Sequence, residues 1–203
     1  LDGGGAIQDT DTSLNSVLLN ANKGIYLGAA GGTIDIADPS TTSAHAYAGV
    51  ISGPGALTKA GPGVLLLTAQ ASTYAGATSV TQGTLRIGSA NLLPPTTPLS
   101  VSAGATLDLT SRDQTIGALT GTGRVVNAGR LTVAPHADTT WSGTISGTGG
   151  LTCAGPAFAV LASPQAYAGS TVIAGTAAAP FGLRLGTAGA IPAATDVQFD
   201  ATD

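Results

Sequence analysis

The sequence predicts an all-β fold: a single-stranded parallel β-helix, or β-solenoid, of about eight to nine turns spanning 1–203 as one segment. Three observations predict it. Of 203 residues, 30 are Gly and 11 Pro, none is Met or Glu, and Lys occurs only at Lys23 and Lys59. Strong helix formers are thus scarce, while Thr, Val, Ile, Leu and Gly dominate, a strand-and-turn composition. The stretch 47–88 returns in worn form at 141–186. Gly49, Gly53, Gly55, Leu57 and Gly61 reappear at a constant offset as Gly143, Gly147, Gly149, Leu151 and Gly155, and Tyr74-Ala75-Gly76 reappears as Tyr167-Ala168-Gly169. Self-similarity of this kind marks a stacked repeat. A shorter motif with period-two alternation recurs throughout, as successive side chains on opposite faces of a strand require.

That motif is Gly or Ala, a small polar residue, an aliphatic, a variable residue and a second aliphatic. It reads Gly32-Thr33-Ile34-Asp35-Ile36, Gly83-Thr84-Leu85-Arg86-Ile87, Ala105-Thr106-Leu107-Asp108-Leu109 and Gly129-Arg130-Leu131-Thr132-Val133. Gly55-Ala56-Leu57-Thr58-Lys59 changes the last position, and Gly150-Leu151-Thr152 and Gly182-Leu183-Arg184-Leu185 are shortened. The variable slot shares polarity and not charge, so it faces water while the aliphatics face a core. A slip of one residue would bury Arg86 and expose Leu85 and Ile87, which fixes the register. The central aliphatics are Ile34, Leu57, Leu85, Leu107, Leu131, Leu151 and Leu183. Most of their separations lie in the low twenties. The two long intervals, Leu57 to Leu85 and Leu151 to Leu183, are the ones that contain a Tyr-Ala-Gly segment. Turns in the low twenties fit three short strands and three bends, with these aliphatics stacked in matching slots. Hairpins are the competing reading, but Asn-Gly is absent and Asp-Gly occurs only at Asp2-Gly3.

In chain order, 1–30 is the least regular part. Leu18-Leu19 and Ile25-Tyr26-Leu27 form two weak strands around the polar turn Asn20-Ala21-Asn22, with Asp2, Asp9 and Asp11 in solvent. Val64, Leu65 and Leu67, and later Phe158, Val160 and Leu161, belong to the interior. Residues 89–100 carry Pro94, Pro95 and Pro98, which remove ladder donors, so this stretch is expected to leave the coil as a loop. Residues 134–140, with Pro135 and His136, form a shorter excursion.

Composition also excludes classes of function. A hydrophobic content of 43% is too high for a disordered chain. The net charge is −4 and the five Arg are scattered, which argues against a nucleic-acid partner. One cysteine, Cys153, rules out an intrachain disulfide; it stands where the first copy has Lys59 and is expected to be packed. No apolar run reaches membrane-spanning length, so the segment itself does not insert in a bilayer. No signal-peptide pattern opens the chain, which begins at Leu1 and reads as a piece of something longer.

No catalytic, cofactor-binding or metal-binding residue is assigned. Gly53-Pro54-Gly55, Gly121-Thr122-Gly123 and Gly147-Thr148-Gly149 each precede a strand, whereas a phosphate loop needs a helix N-terminus, so they read as repeat bends. Gly31-Gly32-Thr33-Ile34-Asp35 is a single loose match to a calcium-binding repeat, which works only in tandem. Asp35 with Asp38, and Asp108 with Asp113, are the close carboxylate pairs. Asp35 and Asp108 occupy matching slots three steps apart, roughly 14 Å, too far for paired acid–base work on a sugar. His45 and His136 read as surface residues, and no Gly-x-Ser-x-Gly elbow accompanies them. Tyr47, Tyr74, Tyr167 and Trp141 recur at equivalent points and read as corner packing, the alternative being an aromatic stripe for glycans.

The segment Gly55–Gly88 resembles the autotransporter-associated β-strand repeat of Gram-negative type V secreted passenger domains. Leu57-Thr58-Lys59-Ala60-Gly61, Tyr74-Ala75-Gly76 and Gly83-Thr84-Leu85 carry the resemblance. The second copy keeps Leu151-Thr152, Ala154-Gly155, Tyr167-Ala168-Gly169 and Gly175-Thr176, and departs at Cys153, Ala157 and the inserted Ala177–Phe181. The resemblance implies a right-handed β-helix, exported through the outer membrane and displayed outside the cell as part of a longer passenger. It implies a non-enzymatic stalk or adhesin in attachment, with a host surface protein, a glycan or another copy as partner. The alternatives are a carbohydrate-active β-helix enzyme, or a stem for an enzyme domain elsewhere in the parent chain.

Overall fold

The computed structural model describes residues 4–10, 17–19, 23–40, 44–68, 71–175 and 182–201. The expectations for Asp2, Asp11, the turn at 20–22 and the insertion at 177–181 lie outside them.

The chain coils as a parallel β-solenoid of about seven turns, somewhat fewer than the spacing predicts. The first wall has nine parallel strands: Ala6–Asp9, Gly32–Ile36, Leu57–Ala60, Thr78–Val80, Pro98–Val101, Ala118–Gly121, Thr139–Trp141, Phe158–Leu161 and Gly182–Leu185. The second wall has eight, from Val17–Leu19 through Ala44–Tyr47, Val64–Leu67, Thr84–Ile87, Thr106–Asp108, Arg124–Val126 and Thr144–Gly147 to Ala166–Tyr167. The third wall is split into a pair, Ile25–Tyr26 with Ile51–Ser52, and a five-stranded sheet from Gln114–Ile116 to Val197–Ala201. Every strand pairs in parallel with the one above it, so hairpins are excluded for these elements.

The turn length is read from the register through the middle of the coil. Ser79 lies beside Ser100, Ser100 beside Thr120, and Leu65 beside Leu85, so one turn takes about twenty positions, from 17 where Gln114 lies beside Leu131 to 22 where Leu85 lies beside Leu107. Early and late turns are longer, with Ala6 beside Thr33 and Phe158 beside Gly182. This corrects the expected single column of motif aliphatics. Ile34 and Leu57 stand on the first wall, Leu85 and Leu107 on the second, Leu131 and Leu151 on the third, and Leu183 back on the first. The motif spacing mostly exceeds the turn length, so the surplus carries the motif round the corners. All but Leu183 are nonetheless fully buried, and Leu183 packs against the core from its edge.

The interior is a set of stacked files. On the second wall His45, Leu65, Leu85, Leu107, Val125 and Ile145 follow one another inward. On the first wall Ile34, Lys59, Val80, Val101, Gly121, Trp141 and Leu161 do the same. Each large aliphatic buried this way stabilises the stack by roughly 1.5–3 kcal/mol before chain entropy is set against it. Val64, Leu65, Leu67 and Leu161 are interior as expected. Phe158 and Val160 are not: in the strand Phe158–Leu161 alternation turns Ala159 and Leu161 inward and the other two outward.

The proline-rich stretch does not leave the coil. Leu92 and Leu93 are 2% and 0% exposed, although Pro94 and Pro95 interrupt the ladder. Buried Gln114 replaces the missing strand partner, accepting from Leu93 N at 3.2 Å and donating to Leu93 O at 3.1 Å.

Candidate functional site

The three glycine bends are corners. Gly53, Gly121 and Gly147 have φ of 110°, 109° and 114°, where a side chain is strained. A Cβ at each would also run into a backbone carbonyl of the turn below, at Leu27, Val101 and Asn127 respectively. Glycine is therefore required by stacking and not by a ligand.

The four aromatic residues are corner posts. Tyr47, Tyr74, Tyr167 and Trp141 are 1–2% exposed, so no glycan-stacking stripe is formed by them. Tyr47 donates to Lys23 O at 2.7 Å. In Tyr74-Ala75-Gly76-Ala77-Thr78 the phenol meets Thr78 Oγ1, which in turn lies 3.0 Å from Thr97 Oγ1. Tyr167 repeats this with Thr171 Oγ1 at 2.6 Å. Burial pushes the Tyr74 phenol up to about 12, against the opposing effect of the Thr78 and Thr97 bonds.

His45 is not on the surface. It is 1% exposed at the head of the second wall's inner file, with Nδ1 2.8 Å from Asp9 Oδ2 and Nε2 3.6 Å from Asp38 Oδ2. Asp9 is accordingly tied to His45 and not left in solvent. The alternation that placed Tyr47 inward also places His45 inward, a signal that its polar neighbours in sequence obscured. His136 is exposed, as expected. Asp35 and Asp108 are on different walls, so the expected three-step spacing in one file does not hold. Asp108 instead pairs with Arg86 on the next strand at 2.8 Å, and Asp35 accepts from Gln8. Asp113 accepts from Arg130 N at 2.8 Å. Among the described residues no group of three His, Cys, Asp or Glu side chains is placed to hold a metal ion, and no helix is long and apolar enough to cross a membrane.

Lys59 and Cys153, equivalent in the two copies, both point inward. The Lys59 Nζ donates to Ala60 O, Gly61 O and Gln82 O at 2.6, 2.8 and 3.2 Å. Burial lowers this ammonium to about 8, against the opposing charge of Asp35. Burial pushes the Cys153 thiol up to about 12, so it is an inert packed residue.

The outward side of the first wall is rich in hydroxyls, whereas that of the second wall is mixed, with Leu66, Arg86, Asp108 and Val126. On the first wall Thr33, Thr58, Ser79, Ser100 and Thr120 stand directly above one another, and Thr140 continues the file beside Trp141. Two residues along each strand a second, exposed file runs Thr81, Ser102, Thr122 and Ser142. The four dipeptide-spaced pairs Ser79/Thr81, Ser100/Ser102, Thr120/Thr122 and Thr140/Ser142 thus form a two-dimensional array, about 4.8 Å between strands and roughly 7 Å along them. The signal in sequence is a Ser/Thr-x-Ser/Thr recurring once per turn, which the longer motif overshadowed.

Residues 57–87 match the passenger-associated-transport-repeat family. The chain is 35% identical over 166 residues to the adhesin BmaC autotransporter of Brucella suis biovar 1, a match covering 77% of this chain and 5% of that protein. The chain therefore spans a small fraction of the length of the curated relative it matches. No solved structure matches it. The repeat match at 57–87 falls on the buried motif strands and the Tyr74 corner, and the similarity to the longer relative extends over most of the coil: the chain carries autotransporter passenger repeats.

Proposed function

We propose that this chain is a non-enzymatic segment of a surface-displayed autotransporter passenger, exported through the outer membrane and acting as a stalk or adhesin in attachment to a host surface protein or glycan. The observation that carries the reading is where the chemistry-bearing side chains go. His45, Lys59, Cys153 and all four large corner rings are spent on holding turns together, whereas the outer walls present polar side chains at a fixed repeat. A rigid rod with regular walls positions contacts at a distance from a cell. The name of the Brucella relative, an adhesin, points the same way. A carbohydrate-active enzyme would need carboxylates converging on an open groove; Asp35 and Asp108 stand on separate walls, and Asp9 and Asp38 converge on the buried His45.

Two measurements test the proposal. On arrays of host-surface proteins and glycans, the chain is expected to bind without consuming what it binds; turnover of a polysaccharide by the chain would overturn the reading. On intact cells making the parent protein, added protease is expected to remove this segment while periplasmic proteins survive. Protection of the segment on intact cells would contradict surface display.

A further inference from the structure

We infer that the outward side of the second wall, with the groove at the corner leading into it, binds an acidic polysaccharide, one whose sugars carry carboxylate or sulfate groups. The inference rests on the reading that the outer walls are the attachment surface, and it names a ligand class for one of them. The coil gathers charge that is dispersed in the sequence. Residues 84–130 carry four of the five Arg, Arg86, Arg112, Arg124 and Arg130, against Asp108 and Asp113 alone, whereas the rest of the chain has three Lys or Arg against nine Asp. Three successive turns bring these four Arg onto the second wall and the corner from it to the third. A basic strip on an acidic chain draws an anionic partner.

Asp108 is spent on Arg86, 2.8 Å from its Nε, and on the N–H of Thr110. Among the described residues no carboxylate pairs with the side chain of Arg112, Arg124 or Arg130. Arg124 is the anchor. Its Nε and Nη2 each lie 3.3 Å from Ser146 Oγ, which steadies the guanidinium and leaves Nη1 open to a ligand. It stands in a groove of about 420 Å³ between the first and second walls, lined also by Gly104, Gly123, Thr106 and Thr144. Thr84, Thr106, Arg124 and Thr144 follow one another along one outward file. Arg86 lies in the neighbouring file, about 12 Å from Arg124 between Cα atoms at this strand spacing.

That mixture suits an acidic sugar. A planar guanidinium meets a carboxylate or sulfate with two parallel bonds, while a hydroxyl side chain both donates and accepts, as sugar hydroxyls do. A nucleic acid fits less well. Three unpaired Arg release few counterions, and the wall offers no ring for a base to stack on, the exposed Tyr26 and Phe199 standing on third-wall strands. An extended peptide needs an open strand edge, and the strands from Thr84–Ile87 to Arg124–Val126 are paired on both sides.

The test measures binding of the full chain to three immobilised polysaccharides: heparin, which is sulfated, hyaluronan, whose charge is carboxylate alone, and uncharged dextran. Binding to heparin, to hyaluronan or to both, and not to dextran, is expected, and the two acidic chains tell which acid is recognised. Arg124→Gln is expected to weaken binding about tenfold or more. Arg184→Gln removes the same charge from an exposed Arg on the first wall and is expected to leave binding unchanged. Circular dichroism checks that both variants keep the fold. Absence of binding to either acidic polysaccharide overturns the inference, as does undiminished binding by Arg124→Gln. An equal loss in the two variants also overturns it, since it would report net charge and not a site. Single-stranded DNA held as tightly as the polysaccharide, and released by Arg124→Gln, would replace the sugar with a general polyanion. Arrays of host-surface proteins report separately on the adhesin reading: binding there without binding to acidic polysaccharide leaves that reading standing and this one lost.

Discussion

Lys59 shows how a single residue is bent to the needs of the stack. The folded chain releases its proton near 8, while the unfolded chain holds it up to the ordinary lysine value of 10.5. Between those values the unfolded state binds more protons, so stability rises with pH. Cys153 acts the other way: its thiol is pushed from 9.0 to about 12, so above 9 the unfolded chain loses a proton that the folded one keeps. Urea unfolding followed across pH is therefore expected to show stability rising from about 8 to 9 and the rise being eroded above 9. Lys59→Met is expected to abolish the rise; an unchanged profile in that variant would contradict the assignment. Tyr167→Phe is expected to cost about 1–3 kcal/mol by stranding Thr171 Oγ1, and adding Thr171→Val to recover part of it. The position of Lys59 was legible in its own motif, because Leu57 and Lys59 share a strand face. That a charge would occupy an inward slot was not, since pattern reading assigns charges to water.

At the scale of the strand and bend, glycine and glutamine meet constraints that periodicity does not reveal. Gly121→Ala is expected to cost about 2 kcal/mol or more, because it combines a left-handed backbone with a Cβ driven into the Val101 carbonyl. Gly104→Ala, at φ 78° with nothing within 4 Å of its Cβ, is expected to cost about 1 kcal/mol, the backbone strain alone. Equal costs at the two sites, read from denaturant midpoints, would refute the stacking role of Gly121. Gln114→Leu is expected to cost at least about 2 kcal/mol, since it strands the buried N–H and C=O of Leu93. The prolines in 89–100 announce a break in the ladder, and the structure has one. Nothing local to those prolines points to a side-chain amide mending the break from the next turn, so the stretch reads as a loop. Strand identity and inward face were legible because alternation is local. Which wall each motif joins was not, because that depends on the sum of all bend lengths before it.

For the whole molecule, the two similar stretches are not equivalent in space. Leu57 stands on the first wall and Leu151 on the third, because the offset between the copies falls short of a whole number of turns. A surface built by repetition is therefore rotated between copies, whereas the outward file Thr58, Ser79, Ser100 and Thr120 follows the turn length and not the longer repeat. Parallel stacking, with each strand one short turn below the next, is the claim on which the core, the corners and the array all depend. Adjacent parallel strands bring Cα atoms about 4.8 Å apart, within reach of a disulfide, whereas two turns, roughly 9.6 Å, are beyond it. Cys153 is buried and inert, so it does not compete. Oxidation of the Ser79→Cys/Ser100→Cys chain is expected to close an intramolecular disulfide in high yield, and that of Ser79→Cys/Thr120→Cys to leave free thiols. A disulfide in the second chain and none in the first would contradict the stack.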